Sequence, residues 1–133
     1  MKKVAIIGGG ISGLYLANIL NQQSKFVYKI FEKKEKYNFS EGYGIQLSVN
    51  SIKLLNKIGF KNLPASEVNY PSKINFIQSN NSKKVCEIDL TQFNDNLNRY
   101  TTLKRSTLLK FLFQNIPQDY INFNSNIKSI SHS

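Results

Sequence analysis

Six residues near the amino terminus, Gly8-Gly9-Gly10-Ile11-Ser12-Gly13, and one carboxylate further along, Glu32, have the types and spacing to hold a dinucleotide. The six follow the pattern G-x-G-x-x-G. Gly8 permits a tight exit from a strand, Gly10 has no side chain to keep backbone away from a pyrophosphate, and Gly13 lets helix and strand pack closely. A helix that begins here points unpaired N–H groups and its positive dipole end at the diphosphate, and Ser12 adds a hydroxyl donor. Glu32 lies 19 residues after Gly13, where an acid gripping a ribose diol is expected. A carboxylate accepts both diol hydrogens and repels a 2′-phosphate, which argues against NADP in this pocket.

The surrounding sequence supplies the elements such a turn needs. Val4 to Ile7 is a short β-rich run of the kind buried on both faces of a sheet. Apolar residues from Ile11 to Gln22 fall at helical spacing, and Phe26 to Phe31 reads as a second strand ending at Glu32. Together they make a βαβ unit and place the chain in the α/β class. Lys33 to Tyr43 is polar and loop-like. Val49 to Ile58 reads as a helix stopped by Gly59, and Ser106 to Asn115 as another, stopped before Pro117. Lys73 to Gln78 and Lys83 to Leu90 predict an antiparallel hairpin around Ser79-Asn80-Asn81-Ser82, while Tyr120 to Phe123 and Ile127 to Ile130 read as short strands.

Composition narrows the chemistry. The chain has 133 residues, 41% of them apolar and 20% charged, as in an ordinary globular protein. One cysteine, Cys86, and one histidine, His132, exclude an internal disulfide, a Cys/His metal cluster and a histidine-driven triad; no metal is expected. Cys86 reads as a small packed or edge residue and His132 as part of a tail. The net charge of +10 is scattered as pairs and one cluster, Lys33, Lys34 and Lys36, so no specific nucleic-acid partner is expected. Tyr28, Phe31, Phe60, Phe76, Phe111 and Phe113 read as core. Lys2-Lys3 before an apolar stretch looks like a secretory leader, but three glycines interrupt it and the segment completes the βαβ unit. A cytoplasmic protein without a transmembrane helix is expected; peripheral membrane contact and oligomeric state stay open.

A further stretch, Gly42-Tyr43-Gly44-Ile45-Gln46-Leu47-Ser48-Val49-Asn50 followed by Leu54-Leu55 and Gly59, resembles the G-x-G-I-x-L-x-x-N segment of FAD-dependent aromatic hydroxylases. These are the single-component flavoprotein monooxygenases of the para-hydroxybenzoate and ubiquinone-biosynthesis hydroxylase type. Leu103-Lys104-Arg105-Ser106-Thr107-Leu108 resembles their h-x-R-x-x-L at a helix start, and the resemblance implies that Arg105 contacts the flavin cofactor. A guanidinium suits a diphosphate because its planar fork donates paired hydrogen bonds.

The resemblance runs from Val4 to about Ile130. It implies an incomplete Rossmann-like FAD-binding domain over residues 1–133, with residues 68–100 an antiparallel excursion belonging to a substrate-binding sheet. It implies FAD as cofactor, NAD(P)H as co-substrate, O2, and hydroxylation of an aromatic or related small molecule. The expected cofactor contacts are Gly8, Gly10, Ile11, Ser12, Gly13, Glu32, Lys33, Gly44 and Arg105. Some relatives carry an arginine near Gly42, where this chain has Glu41, Gly42 and Tyr43. The family's later D-G and G-D motifs do not occur in the 133 residues, so the chain is expected to be the N-terminal part of a longer enzyme, inactive alone. No catalytic residue is named. A reductase, halogenase or epoxidase of the same fold and a non-catalytic dinucleotide-binding module are the alternatives.

Overall fold

Strand β1 (Lys2–Ile7) stops at the triple glycine, which turns the chain into helix α1 (Ile11–Asn21). The computed structural model describes residues 1–40 and 42–131. Strand β2 (Phe26–Phe31) then runs parallel to β1, from Lys2 opposite Phe26 to Ile7 opposite Phe31. The later elements are β3 (Gly44–Leu47), α2 (Val49–Asn56), β4 (Val68–Asn69), β5 (Lys73–Ile77), β6 (Lys84–Asp89), β7 (Thr101–Lys104), α3 (Arg105–Gln114) and β8 (Ile121–Asn122). They divide into two compact units, Met1–Tyr43 with Arg105–Ser133, and Gly44–Lys104.

The first unit carries a parallel sheet in the order β1-β2-β8. Helix α1 packs on β1 and β2 and against α3. Leu14 and Ala17 of α1, Ile30 of β2 and Leu112 of α3 are completely buried. Truncating any of these leucines to alanine costs about 2–5 kcal/mol, lost transfer energy plus the cavity left behind. Asn18 is a buried polar residue in this apolar layer, and its Nδ2 donates to the carbonyls of Leu14 and Leu112, 2.8 Å each. One amide thus ties the two helices together while leaving no donor unpaired.

The second unit holds an antiparallel sheet in the order β3-β7-β4 and the separate hairpin β5-β6. Its core is Val49, Ile52, Leu55, Ile58, Phe60, Leu90 and Leu103. Gly59 adopts the left-handed conformation (φ 91°) after α2, the stop its position predicts.

Four sequence expectations are corrected. Strand β1 is not buried on both faces: it is the sheet edge, Ala5 is exposed and Ile7 is 53% exposed. Residues Ile127 to Ile130 form no strand, because none of the described strands offers them a ladder partner and both isoleucines stay exposed. Phe76 is not core; it stands 48% exposed on a hairpin of two strands, with no third strand among the described residues. Helix α2 ends at Asn56 rather than Ile58, the last residues closing as hydrogen-bonded turns from Lys57 to Leu54 and Ile58 to Leu55. Cys86 is exposed on β6, and His132 lies outside the described residues. No helix among the described residues is long and apolar enough to cross a membrane.

Candidate functional site: a glycine turn and a buried carboxylate

The turn is shaped by its glycines in unequal ways. Gly8 has φ 97°, a left-handed conformation that L side chains rarely adopt, and its N–H donates to Phe31 O at 2.9 Å, extending the β1–β2 ladder. A Cβ on Gly13 would overlap the carbonyl oxygen of Gly8 and stand 3.2 Å from Ile6 Cγ2, so the helix can approach the strand only without it. A Cβ on Gly10 would project into open space. The protein's own packing therefore does not require glycine at Gly10.

Gly10 is also the N-cap of α1, and no side chain caps the helix or places an acid in its first turn. The N–H of Leu14 bonds to Gly10 O at 2.9 Å, the first closed turn. The amides before it, at Ile11, Ser12 and Gly13, carry the positive end of the helix dipole. Ser12 is exposed beside them. The helix start thus presents these amides with no side-chain cap and no acid in the first turn.

Glu32 closes the opposite side. It is only 7% exposed, unusual for a carboxylate with no cationic partner among the described residues. Two backbone donors compensate its burial: Gly9 N–H to Oε2 at 2.7 Å and Lys34 N–H to Oε1 at 2.9 Å. Its own backbone is fixed by Glu32 N–H to Asn122 O and Ser125 N–H to Glu32 O, 2.9 Å each. Asn124 takes the left-handed conformation (φ 54°), and its N–H reaches Lys34 O at 3.0 Å. A carboxylate offers about four lone-pair sites, so after these two bonds it still has capacity for a diol.

Sequence reasoning passed over Gly9 and Tyr37. The Tyr37 hydroxyl donates to Gly9 O at 2.7 Å, and a Cβ on Gly9 would overlap that hydroxyl and stand 3.1 Å from Glu32 Oε2. Gly9 is thus held from both ends of its residue, N–H by Glu32 and carbonyl by Tyr37. The Tyr37 ring packs edge-on against Phe113 and Phe123 and tilted against Phe39. Burial first, and the Glu32 charge second, push its hydroxyl well above the ordinary tyrosine range, so it stays a donor. An aromatic residue within the charged run Lys33 to Tyr43 was the available hint.

Among the other sequence candidates, Lys33 follows Glu32 and is exposed. Arg105 is the first residue of α3, half-buried, and its N–H donates to Tyr43 O at 3.0 Å. A Cβ on Gly42 would come within 3.0 Å of Ser106 N, so Gly42 lets this crossing close tightly. The structure thereby brings Arg105 together with the Gly42-Tyr43 segment, and Glu32 together with the glycine turn. Gly44 belongs to the other unit, where it opens β3 opposite Lys104, exposed and with open space at its Cβ position. Among the described residues no cluster of His, Cys, Asp and Glu could hold a metal.

No family model matches the chain. A curated relative is the FAD-dependent monooxygenase esdpE of Penicillium shearii, 27% identical over 139 aligned residues that take in 98% of this chain and 27% of that protein. Among solved structures, 2,6-dihydroxypyridine-3-hydroxylase from Arthrobacter nicotinovorans superposes with a TM-score of 0.74 at 14% identity, over 98% of this chain and 30% of the other. HpxO of Klebsiella pneumoniae, complexed with FAD and uric acid, gives 0.72 at 18% identity, over 92% and 30%. This chain therefore spans under a third of each relative's length. The resemblance expected from the motifs is present along the chain, and the fold is an incomplete α/β FAD-binding fold.

Proposed function

We propose that this chain is the dinucleotide-holding portion of a flavin-dependent monooxygenase that hydroxylates an aromatic or related small molecule, with NAD(P)H as reductant. One observation carries the reading: an uncapped helix start, with open space where a Gly10 side chain would be, stands beside a buried Glu32 bonded to Gly9. The similarity to FAD-dependent monooxygenases supports the same assignment. In it the amides of Ile11, Ser12 and Gly13 bind the pyrophosphate, with Gly8 and Gly10 giving it access. Glu32 accepts from the adenosine ribose hydroxyls, and Lys33 and Arg105 add positive charge to the anionic cofactor. Gly44 leaves backbone open to the cofactor, and residues 68–100 contribute to a substrate-binding sheet.

When bound, the flavin ring supplies the redox chemistry with reductant and O2, while the protein supplies orientation and electrostatics. Tyr37 and Glu32 do the orienting within this chain. By fixing both polar groups of Gly9 they set the direction of the turn's remaining amides.

The test is titration of the purified chain with FAD and with ADP, which carries the diphosphate, ribose and adenine the turn would hold. Both should bind, and Gly10→Val should weaken both at least tenfold while Glu32→Ala weakens them about as much. Absence of binding by either ligand, or unchanged affinity in both variants, overturns the proposal.

A further inference from the structure

Two successive peptide groups of the glycine turn are each held by a side chain from elsewhere in the chain. Glu32 Oε2 accepts the N–H of Gly9 at 2.7 Å, and the Tyr37 hydroxyl donates to Gly9 O at 2.7 Å. Every described peptide bond is trans, so the N–H and C=O of one peptide group point in opposite directions. The first hold therefore turns the Gly8 carbonyl away from Glu32, and that oxygen lies where a Cβ on Gly13 would stand. The second turns the N–H of Gly10 away from the Tyr37 hydroxyl. Gly10 is exposed, and its N–H has no hydrogen-bond partner among the described residues.

The two glycines themselves do not fix that direction. Rotating the Gly9–Gly10 peptide by half a turn changes only ψ of Gly9 and φ of Gly10, with little change in the chain path. Gly10 has φ −75°. The rotation carries it to roughly +105°, a region glycine enters about as readily as negative φ. The rotated peptide presents a carbonyl oxygen where the donor stood, and that oxygen repels an anion. Among the described residues the Tyr37 hydroxyl alone bonds this peptide group. The hydroxyl is itself fixed in place, because its ring packs edge-on against Phe113 of α3 and against Phe123, with centroids 4.9 and 5.4 Å apart.

We infer, resting on the reading that this turn holds a diphosphate, that Tyr37 is a positioning residue of the cofactor site. By holding the Gly9 carbonyl, its hydroxyl keeps the Gly10 N–H turned outward as one more donor to the diphosphate. Tyr37 thus sets the polarity of the turn ahead of α1, while Glu32 serves the ribose.

The experiment compares the parent chain with Tyr37→Phe, which keeps the ring and removes the hydroxyl. ADP and adenosine are titrated separately into 13C,15N-labelled protein and followed by NMR. Adenosine carries the ribose for Glu32 and no phosphate for the turn. In Tyr37→Phe, ADP should bind about fivefold more weakly, the worth of one hydrogen bond, while adenosine keeps its parental affinity. In the ligand-free variant the Gly9 carbonyl 13C signal should move upfield as it loses its donor. Loss of ADP and adenosine affinity by the same factor would make Tyr37 a general support of the fold, and overturns the inference. Undiminished ADP affinity overturns it too, as does a Gly9 carbonyl signal that stays in place. A parent chain that binds neither ligand overturns the diphosphate reading of the turn, and the role of Tyr37 falls with it.

Discussion

Glu32 Oε2 accepts the N–H of Gly9 at 2.7 Å, across 23 residues of sequence, in a site where the carboxylate is almost wholly buried. The bond joins the end of β2 to the turn that ends β1, so the acid expected to hold a ribose also holds the loop expected to hold the phosphates. The proposed binding role and the local folding therefore meet in one side chain. Glu32→Ala leaves the Gly9 and Lys34 amides without their acceptor, and the expected loss of stability is about 2 kcal/mol, since a buried donor left unsatisfied costs about 1–3 kcal/mol. Thermal or denaturant unfolding of the ligand-free chain measures it. A variant as stable as the parent would show that the bond carries no net stabilisation.

The glycines separate packing from access. Gly13→Ala sets a methyl group against backbone, the Gly8 carbonyl, which cannot swing aside as a side chain does. It should cost on the order of 3 kcal/mol, at the upper end of overpacking penalties. Gly10→Ala meets nothing within 4 Å and keeps an extended N-cap (φ −75°), so it should cost less than about 1 kcal/mol. Its effect should appear in ADP and FAD affinity. Unfolding curves paired with ligand titrations check both halves, and equal destabilisation by the two substitutions would contradict this division.

Tyr37→Phe removes the hydroxyl from Gly9 O and keeps the ring against Phe113 and Phe123. The expected cost is about 1 kcal/mol, one hydrogen bond net of solvation. The pH dependence has a definite sign. The folded-state value of this hydroxyl is raised above the ordinary 10.0, so its contribution is fully present below pH 10 and is lost as pH rises beyond that. Burial raises Tyr28 as well, so the quantity to measure is the difference between parent and Tyr37→Phe, which should shrink in strong alkali. A difference independent of pH would detach Tyr37 ionisation from stability.

These residues were legible to different degrees. Gly8, Gly10, Gly13 and Glu32 stood out because a phosphate turn restricts residue type at fixed spacing, and β1, α1 and β2 followed from runs of apolar period. Gly9 and Tyr37 were hidden because their relationship is tertiary: a loop tyrosine 28 residues away supplies the steric demand. Strands β3, β4 and β7 are four, two and four residues long and include Thr101 and Thr102, too short and polar for alternation to register. The burial assumed for β1 and Phe76 required neighbours that a local pattern cannot supply.

Asp95 organises the loop before β7 through its carboxylate. The Asn98 side-chain amide, chiefly, and then the Leu97 N–H hold its pKa down to about 2, against an ordinary 3.8. A depressed folded-state value means the contribution is present above the ordinary value and lost as pH falls through about 2. Asp95→Asn removes the charged acceptor, so the stability gap between parent and variant should close between about pH 4 and pH 2. Glu87 and Asp89 are also lowered and cancel in that difference. A gap constant over the range would exclude Asp95 as its source.

The β5–β6 hairpin exposes Ile77 by 61%, Val85 by 68% and Phe76 by 48%, on two strands with no third among the described residues. Exposed apolar residues on an open strand edge are a template for association between copies. Val85→Lys should therefore raise the concentration at which the chain stays monomeric. Because the position is exposed, folding stability should change by no more than about 0.5 kcal/mol. Analytical ultracentrifugation across a concentration series, paired with thermal unfolding, separates the two effects. Unaltered association with unaltered stability would move the source of any self-association away from this hairpin, with the free edge of β1 next in line.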